Sequence, residues 1–263
     1  MRQQLVMALL AVMLTASGAA AAQETEPLPG ATKAQEILDR TIEALGGETF
    51  LAVRDITRRG RLYSFSRGQL ASPGDRFLDY VKFPGKERLE LGKKGKIVYV
   101  NDNDQGWELD RQGVREQTPE QIERFQEGNR RDLEYLLRVR VQQERMQLYY
   151  LGREFADNRR VQVLELVDER NDSIKLLIDA RTYLPSQMRY REREPLSGEW
   201  VETVEYYGKY VAVQGIQTPM QLTRERNGLR TLEVHFEEVK YNTGVPDTLF
   251  TRAALEERWQ KIK

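Results

Sequence analysis

The only histidine in the chain, His235, stands between Glu233 and Glu237, and strand spacing would put all three side chains on one face. A carboxylate that orients an imidazole is a start toward acid–base catalysis, which also needs a positioned reacting partner inside a cavity. The sequence offers no such partner. It has no cysteine, and it contains no G-x-S-x-G elbow, P-loop, H-E-x-x-H or G-x-G-x-x-G motif. A single histidine without cysteine also excludes the usual zinc ligand sets. The run Asn101-Asp102-Asn103-Asp104-Gln105-Gly106 imitates the first half of a calcium loop. Its twelfth position is Gln112, however, where a bidentate glutamate is required, so a polar turn between strands is expected. With 41 acidic residues, carboxylate pairs are too common for any one to mark a glycosidase dyad. His235 therefore reads as a surface residue on the polar face of a strand, and no catalytic residue, metal or cofactor is expected.

Binding is better provided for than bond-making. Tyr63, Phe65, Phe77, Tyr80, Tyr99, Trp107, Tyr149, Tyr190, Trp200 and Tyr206 are spread along strand-like segments. If the sheet is curved, these ten residues are the candidates to line its hollow and give an acyl chain wide apolar contact. Arg58 and Arg61, near the middle of the first strand, are the candidates to meet a polar headgroup. The basic groups Arg58-Arg59-Gly60-Arg61 and Lys93-Lys94 otherwise read as solvated protection of strand ends and edges.

The elements that must position these residues are mostly strands. Lys33 to Leu45 carries Ala34, Ile37, Leu38, Ile42 and Leu45 on one stripe, with Thr32 placed to cap it and Gly46-Gly47 to end it. From Ile56 the apolar period changes to two. Strands are expected over Ile56–Ser66, Asp75–Phe83, Glu87–Lys93, Lys96–Asn101 and Gly106–Asp110. Thr118-Pro119-Glu120-Gln121 is a capping box with proline at the first helical position, and it opens a central helical insert. The segment Val139 to Gln147 is readable as helix end or as loop. Strands resume over Met146–Phe155, Arg160–Asp168, Ser173–Asp179, Leu184–Glu194, Glu199–Tyr210, Ile216–Arg226 and Arg230–Tyr241. Asn227-Gly228 is the strongest hairpin signal among their joints. Leu255 to Ile262 is expected as a short terminal helix. Such close spacing favours antiparallel neighbours, and two helices can cover the apolar face that so long a sheet exposes. The expected fold class is mainly β (α+β): about twelve strands in a large curved antiparallel sheet, an unclosed β-barrel capped by the N-terminal helix and the central insert.

Composition narrows the partners. Forty-one basic residues balance 41 acidic ones, which argues against a dedicated nucleic-acid binder. Residues 1–22 read as a secretory leader: Arg2, the apolar run Leu5 to Leu14, and the small residues Ala19 to Ala22 before Gln23. That run is too short to span a bilayer, so no integral span is expected after leader removal. Without a cysteine there is no lipid attachment point and no disulfide. The expected organisation is the leader, a flexible tether over residues 23–31, and one domain over residues 32–263 in the periplasm.

Five short motifs extend this reading. Glu43-Ala44-Leu45-Gly46-Gly47 closes the first helix, and Phe83-Pro84-Gly85-Lys86-Glu87-Arg88 has the form P-x-K-x-R. Asp104-Gln105-Gly106-Trp107 forms a G-W turn, while Gly215-Ile216-Gln217-Thr218-Pro219 and Val245-Pro246-Asp247-Thr248-Leu249-Phe250 lie near the end. In these features the chain resembles the LolA/LolB-like periplasmic lipoprotein-carrier superfamily, the outer-membrane lipoprotein-sorting proteins. The resemblance implies an unclosed barrel whose helices cap a mouth and whose interior holds lipid or lipoprotein acyl chains. It also implies inner- or outer-membrane envelope proteins as possible partners. The alternative on the same fold is an envelope protein-interaction or sensing module with no lipid cargo. This chain is longer than the carrier, with a more charged middle, and lacks the lipid-receiving cysteine of the membrane-anchored acceptor branch. No ligand residue of the family falls on a matching motif.

Overall fold

The computed structural model describes residues 30–92, 95–194 and 197–262. The leader, most of the tether, and the Lys93-Lys94 pair lie outside these residues. Fourteen strands form one antiparallel system. Thirteen follow the order β7-β6-β5-β4-β3-β1-β14-β13-β12-β11-β10-β9-β8, and the two-residue β2 (Gln69–Leu70) pairs with β1 (Asp55–Ser66) off that path. The chain builds β3 (Asp75–Lys82), β4 (Lys86–Leu91), β5 (Ile97–Asp102), β6 (Gln105–Asp110) and β7 (Gly113–Glu116) as a meander running outward to one edge. A helical insert then carries it to the other edge. From there β8 (Gln147–Ala156), β9 (Arg159–Val167), β10 (Ser173–Asp179), β11 (Pro185–Arg193), β12 (Trp200–Val213), β13 (Ile216–Arg226) and β14 (Leu229–Tyr241) return to pair with β1. β7 and β8 do not pair with each other, so the sheet stays open.

Beyond the twelve expected strands, β2 and β7 are additional, and each is too short to show an alternating pattern. The basic run Arg58 to Arg61 is not at an edge, because β1 lies between β3 and β14 in the middle of the sheet. Gly60 sits opposite the bulge that Glu237 makes in β14, and a Cβ there would collide with the His235 carbonyl. Helix α1 (Ala31–Leu45) starts at Gly30 with no side-chain cap, so Thr32 lies inside its first turn. It buries Ala34, Ile37, Leu38, Thr41 and Leu45 at i, i+3, i+4 spacing. A single turn, α2 (Gly47–Leu51), follows and buries Phe50.

The insert comprises α3 (Pro119–Arg130), α4 (Leu133–Tyr135), a π-helical turn (Leu136–Arg140) and α5 (Val141–Gln143). The stretch of unclear type after Val139 is thus helical to Gln143. The Thr118 hydroxyl accepts from the Gln121 amide, and the Gln121 side chain accepts from the Thr118 amide. Thr118→Ala is expected to cost about 1 kcal/mol and fray the first turn of α3, as read by urea unfolding. All five residues of the π turn are buried, and Leu136 and Leu137 join the core that α1 makes with the inner face of the sheet. Two arginines anchor it. Arg140 reaches Asp168 at 2.6 Å and Arg130 reaches the same oxygen at 2.8 Å.

Three packed clusters result, the smallest being Val161, Val163 and Leu177 of β9 and β10. On the inner face, α1 and the π turn close over Leu164, Leu166, Ile174, Leu176, Ile178 and Met188 of β9 to β11. On the outer face, the C-terminal helix α6 (Arg252–Ile262) and the 3₁₀ turn before it bring Leu255 and Phe250 against Val98, Val100 and Leu109.

Candidate functional site

The core under α1 and the π turn fills the inner face over β9 to β11 and at Ile56, Ile216, Val239 and Tyr241, but the rest of β1, β3, β4, β13 and β14 is left uncovered by it. There α3 and α4 roof a cavity of about 360 Å³. Register explains its walls. Antiparallel partners share a face, so Gly60 and Leu62 of β1 stand opposite Phe236 and Val234 of β14, and Leu222 of β13 stands opposite Val234. Leu62, Phe77, Leu222, Leu232, Val234 and Phe236 form the apolar wall. The roof is held by Asn129, which donates to the Pro84 carbonyl at 3.2 Å, and by Gln126, which donates to the Asn103 carbonyl at 3.0 Å.

The other wall is charged: Arg58 is among the arginines expected at a headgroup, whereas the carboxylates Asp79, Glu87, Asp132 and Glu134 around it are not among the sequence candidates. Arg58 points inward from β1 and donates to Asp79 at 2.6 Å. Burial opposes the Arg58 charge, but Asp79, Asp132 and Glu134 together hold it above its ordinary pKa. Burial pushes the Asp79 carboxyl up against the pull of Arg58, and it likewise raises Glu134 against Arg138. Glu87 of β4, diagonal to Asp79, is pushed up to about 8 by burial and by the Asp79 charge. Since Asp79 is tied to Arg58, the proton between the two carboxyls resides on Glu87. Arg138 stacks 3.8 Å above the Phe50 ring centre and donates to the Phe50 carbonyl; burial lowers its pKa, opposed by Glu134.

Glu87 sets a pH dependence whose sign is unusual for an acid. Its folded pKa lies above the unfolded value, so the folded state binds the proton more tightly. Its contribution is fully present below the unfolded pKa and is lost as pH rises to about 8, at a slope of up to about 1.4 kcal/mol per pH unit. Glu87→Gln is expected to flatten this loss and to raise the urea midpoint at pH 8 more than at pH 5.

Among the ten aromatic candidates, Phe77 lines this cavity. Tyr190 belongs to the solid inner core, with Arg131 stacked 5.4 Å from its ring centre. Tyr99 faces inward opposite Leu89 but is not part of the cavity wall. Tyr80 and Trp107 pack on the outer face against the C-terminal segment. Tyr63 meets His235 edge-on at 5.5 Å, and Phe65 lies under Arg230. Tyr149 donates to Gln147 and Tyr206 donates to Glu225, both on strand positions that point outward. Trp200 is exposed between Arg191 and Arg193. Of the two arginines, Arg58 enters the cavity, whereas Arg61 pairs with Glu237 on the other face. His235 is held by Glu233 at 2.5 Å on the outer face. Asn103-Asp104 is the two-residue turn of the β5–β6 hairpin, and no metal-holding cluster of His, Cys, Asp or Glu is found among the described residues. Outside the sequence candidates are Leu62, Leu222, Leu232, Val234 and Phe236 of the apolar wall and the carboxylates Asp79, Glu87, Asp132 and Glu134; the alternation of Leu232, Val234 and Phe236 with polar neighbours marks an apolar face in the sequence but not that it lines a cavity.

No protein-family model matches the chain, and no curated protein matches its sequence. Solved structures do match its shape. A DUF1329 family protein from Desulfovibrio piger superposes with a TM-score of 0.59 at 14% identity, covering 84% of this chain and 98% of its own. A putative outer membrane lipoprotein-sorting protein domain from Vibrio parahaemolyticus gives 0.58 at 13% identity, with 86% and 100% covered. A LolA superfamily protein from Nitrosomonas europaea gives 0.57 at 14% identity, with 84% and 99% covered. The open antiparallel sheet, the helices laid across its inner face and these three superpositions together establish that the chain has the LolA-like fold.

Proposed function

We propose that this protein is a soluble periplasmic carrier or binder of lipid or lipoprotein acyl chains that performs no chemistry on them. The observation that carries this reading is the cavity left open on one half of the inner face while the other half is packed. At about 360 Å³ it falls toward the small end of ligand sites, which run from about 300 to 1,000 Å³, and suits a single chain rather than several. Each methylene enclosed by Leu62, Leu222, Leu232 and Phe236 would contribute about 0.8 kcal/mol before binding costs. The leader at residues 1–22 would deliver the protein, and no helix among the described residues is long and apolar enough to cross a membrane. The fold shared with a putative lipoprotein-sorting domain supports the same reading. Protein purified from periplasm should carry bound lipid mass in native mass spectrometry, and delipidated protein should take up a fluorescent fatty acid that unlabelled dodecanoate displaces. A protein that carries no lipid and takes up no probe would refute it.

One observation favours the second reading, a protein-interaction module on the same fold. Edge strand β8 pairs only with β9, and it exposes Leu151 at 48% and Phe155 at 71%. Crosslinking in envelope extracts that yields a defined protein partner, together with failed fatty-acid uptake, would select that reading.

A further inference from the structure

The charged wall of the cavity is not balanced. Lys86 is neutralised by Asp102 at 2.9 Å and Asp247 at 3.2 Å, and Arg224 by Glu205 at 2.6 Å. What remains deep in the site is Asp79, Glu87, Asp132 and Glu134 facing Arg58, with Arg138 behind Glu134 at 3.8 Å. Acids outnumber cations there. Asp79 is 3% exposed, and among the described residues no nitrogen or hydroxyl donates to its Oδ1, whose one partner is the proton it shares with Glu87. Glu134 Oε2 is buried without a hydrogen bond, because the cation facing it, Arg138 Nη2, stands 3.8 Å away and is itself without an acceptor. A buried carboxylate oxygen without a donor is costly, and the loss is recovered when a donor arrives. Only the shared proton separates the Asp79 and Glu87 carboxyls, so a positive group arriving between them would replace that proton.

The geometry points to an amphiphile with a cationic head: the apolar wall takes its hydrocarbon tail, and Asp79, Glu87 and Glu134 take a primary ammonium. An ammonium brings three N–H donors and no acceptor, which suits Asp79 Oδ1 and Glu134 Oε2, two buried carboxylate oxygens that no protein nitrogen reaches at hydrogen-bond distance. A carboxylate head would bring a further negative charge into a site already holding an excess of it. Arg124 is exposed and lies at the rim, so it does not change the sign of the floor. This inference rests on the acyl-binding reading above and specifies the headgroup.

The test is calorimetric titration of the full chain, freed of lipid, with dodecylamine, dodecanoate and dodecanol, each below its micelle concentration at pH 7. Dodecylamine is expected to bind roughly tenfold or more tightly than dodecanoate, with dodecanol between them. Glu87→Gln, nearly isosteric and checked for folding by its melting curve, should remove most of that margin. The wild-type series alone decides the point should the variant fail to fold. If dodecanoate equals or exceeds dodecylamine, or if a folded Glu87→Gln keeps the full margin, the headgroup assignment is wrong while the acyl-binding reading stands. If none of the three binds, both fall together.

Discussion

Asp168→Ala is expected to lower the unfolding free energy by about 3–5 kcal/mol, the cost of removing one member of a buried ion network and stranding its partners. Asp168 is 5% exposed and sits at the β9–β10 turn, where its Oδ2 takes Arg140 and Arg130 while its Oδ1 takes the amides of Arg170 and Asp172. Arg140 is 1% exposed, so without Asp168 it keeps only Glu144 and the Arg130 carbonyl as partners. Guanidinium unfolding should show the loss as a lower midpoint. Hydrogen exchange should locate it in residues 130–143, because these two arginines fix the insert to the sheet. Adding Arg140→Met to Asp168→Ala should recover part of the loss, since a stranded charge is then gone; no recovery would show that the network does not hold the insert. The pH sign is the ordinary one for an acid. Burial pushes Asp168 up, but Arg130, the two amides and the Arg140 charge outweigh it and hold the carboxyl below its usual range. Its contribution is therefore present above the unfolded pKa and lost as pH falls through the folded one. Glu87 runs the opposite way, so acid should loosen the anchor of the insert while favouring the cavity floor.

Local chemistry was the part of this fold that the sequence carried openly. The Thr118 capping box, the Asn227-Gly228 turn and the period-two strands from Ile56 onward each depend on a few neighbouring residues, and each appears where expected. What was hidden depends on pairing between distant segments. The alternation of β1 puts Arg58 and Arg61, three positions apart, on opposite faces, but only the partners β3 and β14 determine which face is inner. The same holds for the aromatics. Tyr80 and Trp107 were candidates for the hollow, yet they meet the C-terminal segment on the outer face, a packing that joins residues more than 130 positions apart. Arg58 and Asp79 lie 21 residues apart and become partners only through the β1–β3 register. A run of basic residues on a strand reads as solvated until its carboxylate partner is known.

Leu222→Trp is expected to weaken acyl uptake roughly fifty-fold while leaving the fold in place. Leu222 projects from β13 into the cavity from beside Val234, and it also borders the smaller hollow next to Tyr207 and Val239. An indole at this position extends into space already empty, so the overpacking penalty of about 1–3 kcal/mol seen in filled cores should be largely avoided. If the ring excludes three methylenes of a bound chain, affinity falls by about 2.4 kcal/mol, roughly fifty-fold. Fluorescent fatty-acid uptake reads that loss, and an unchanged melting temperature separates it from unfolding. Tyr206→Ala provides the contrast: its hydroxyl meets Glu225 on the outer face, so uptake should be unaffected even though the residue is a large aromatic on the adjacent strand. Equal effects from the two substitutions would mean that the ligand does not occupy the inner face. A loss confined to Leu222→Trp places the bound chain under the α3 roof, within reach of Asp79 and Glu87, where the choice of headgroup is made.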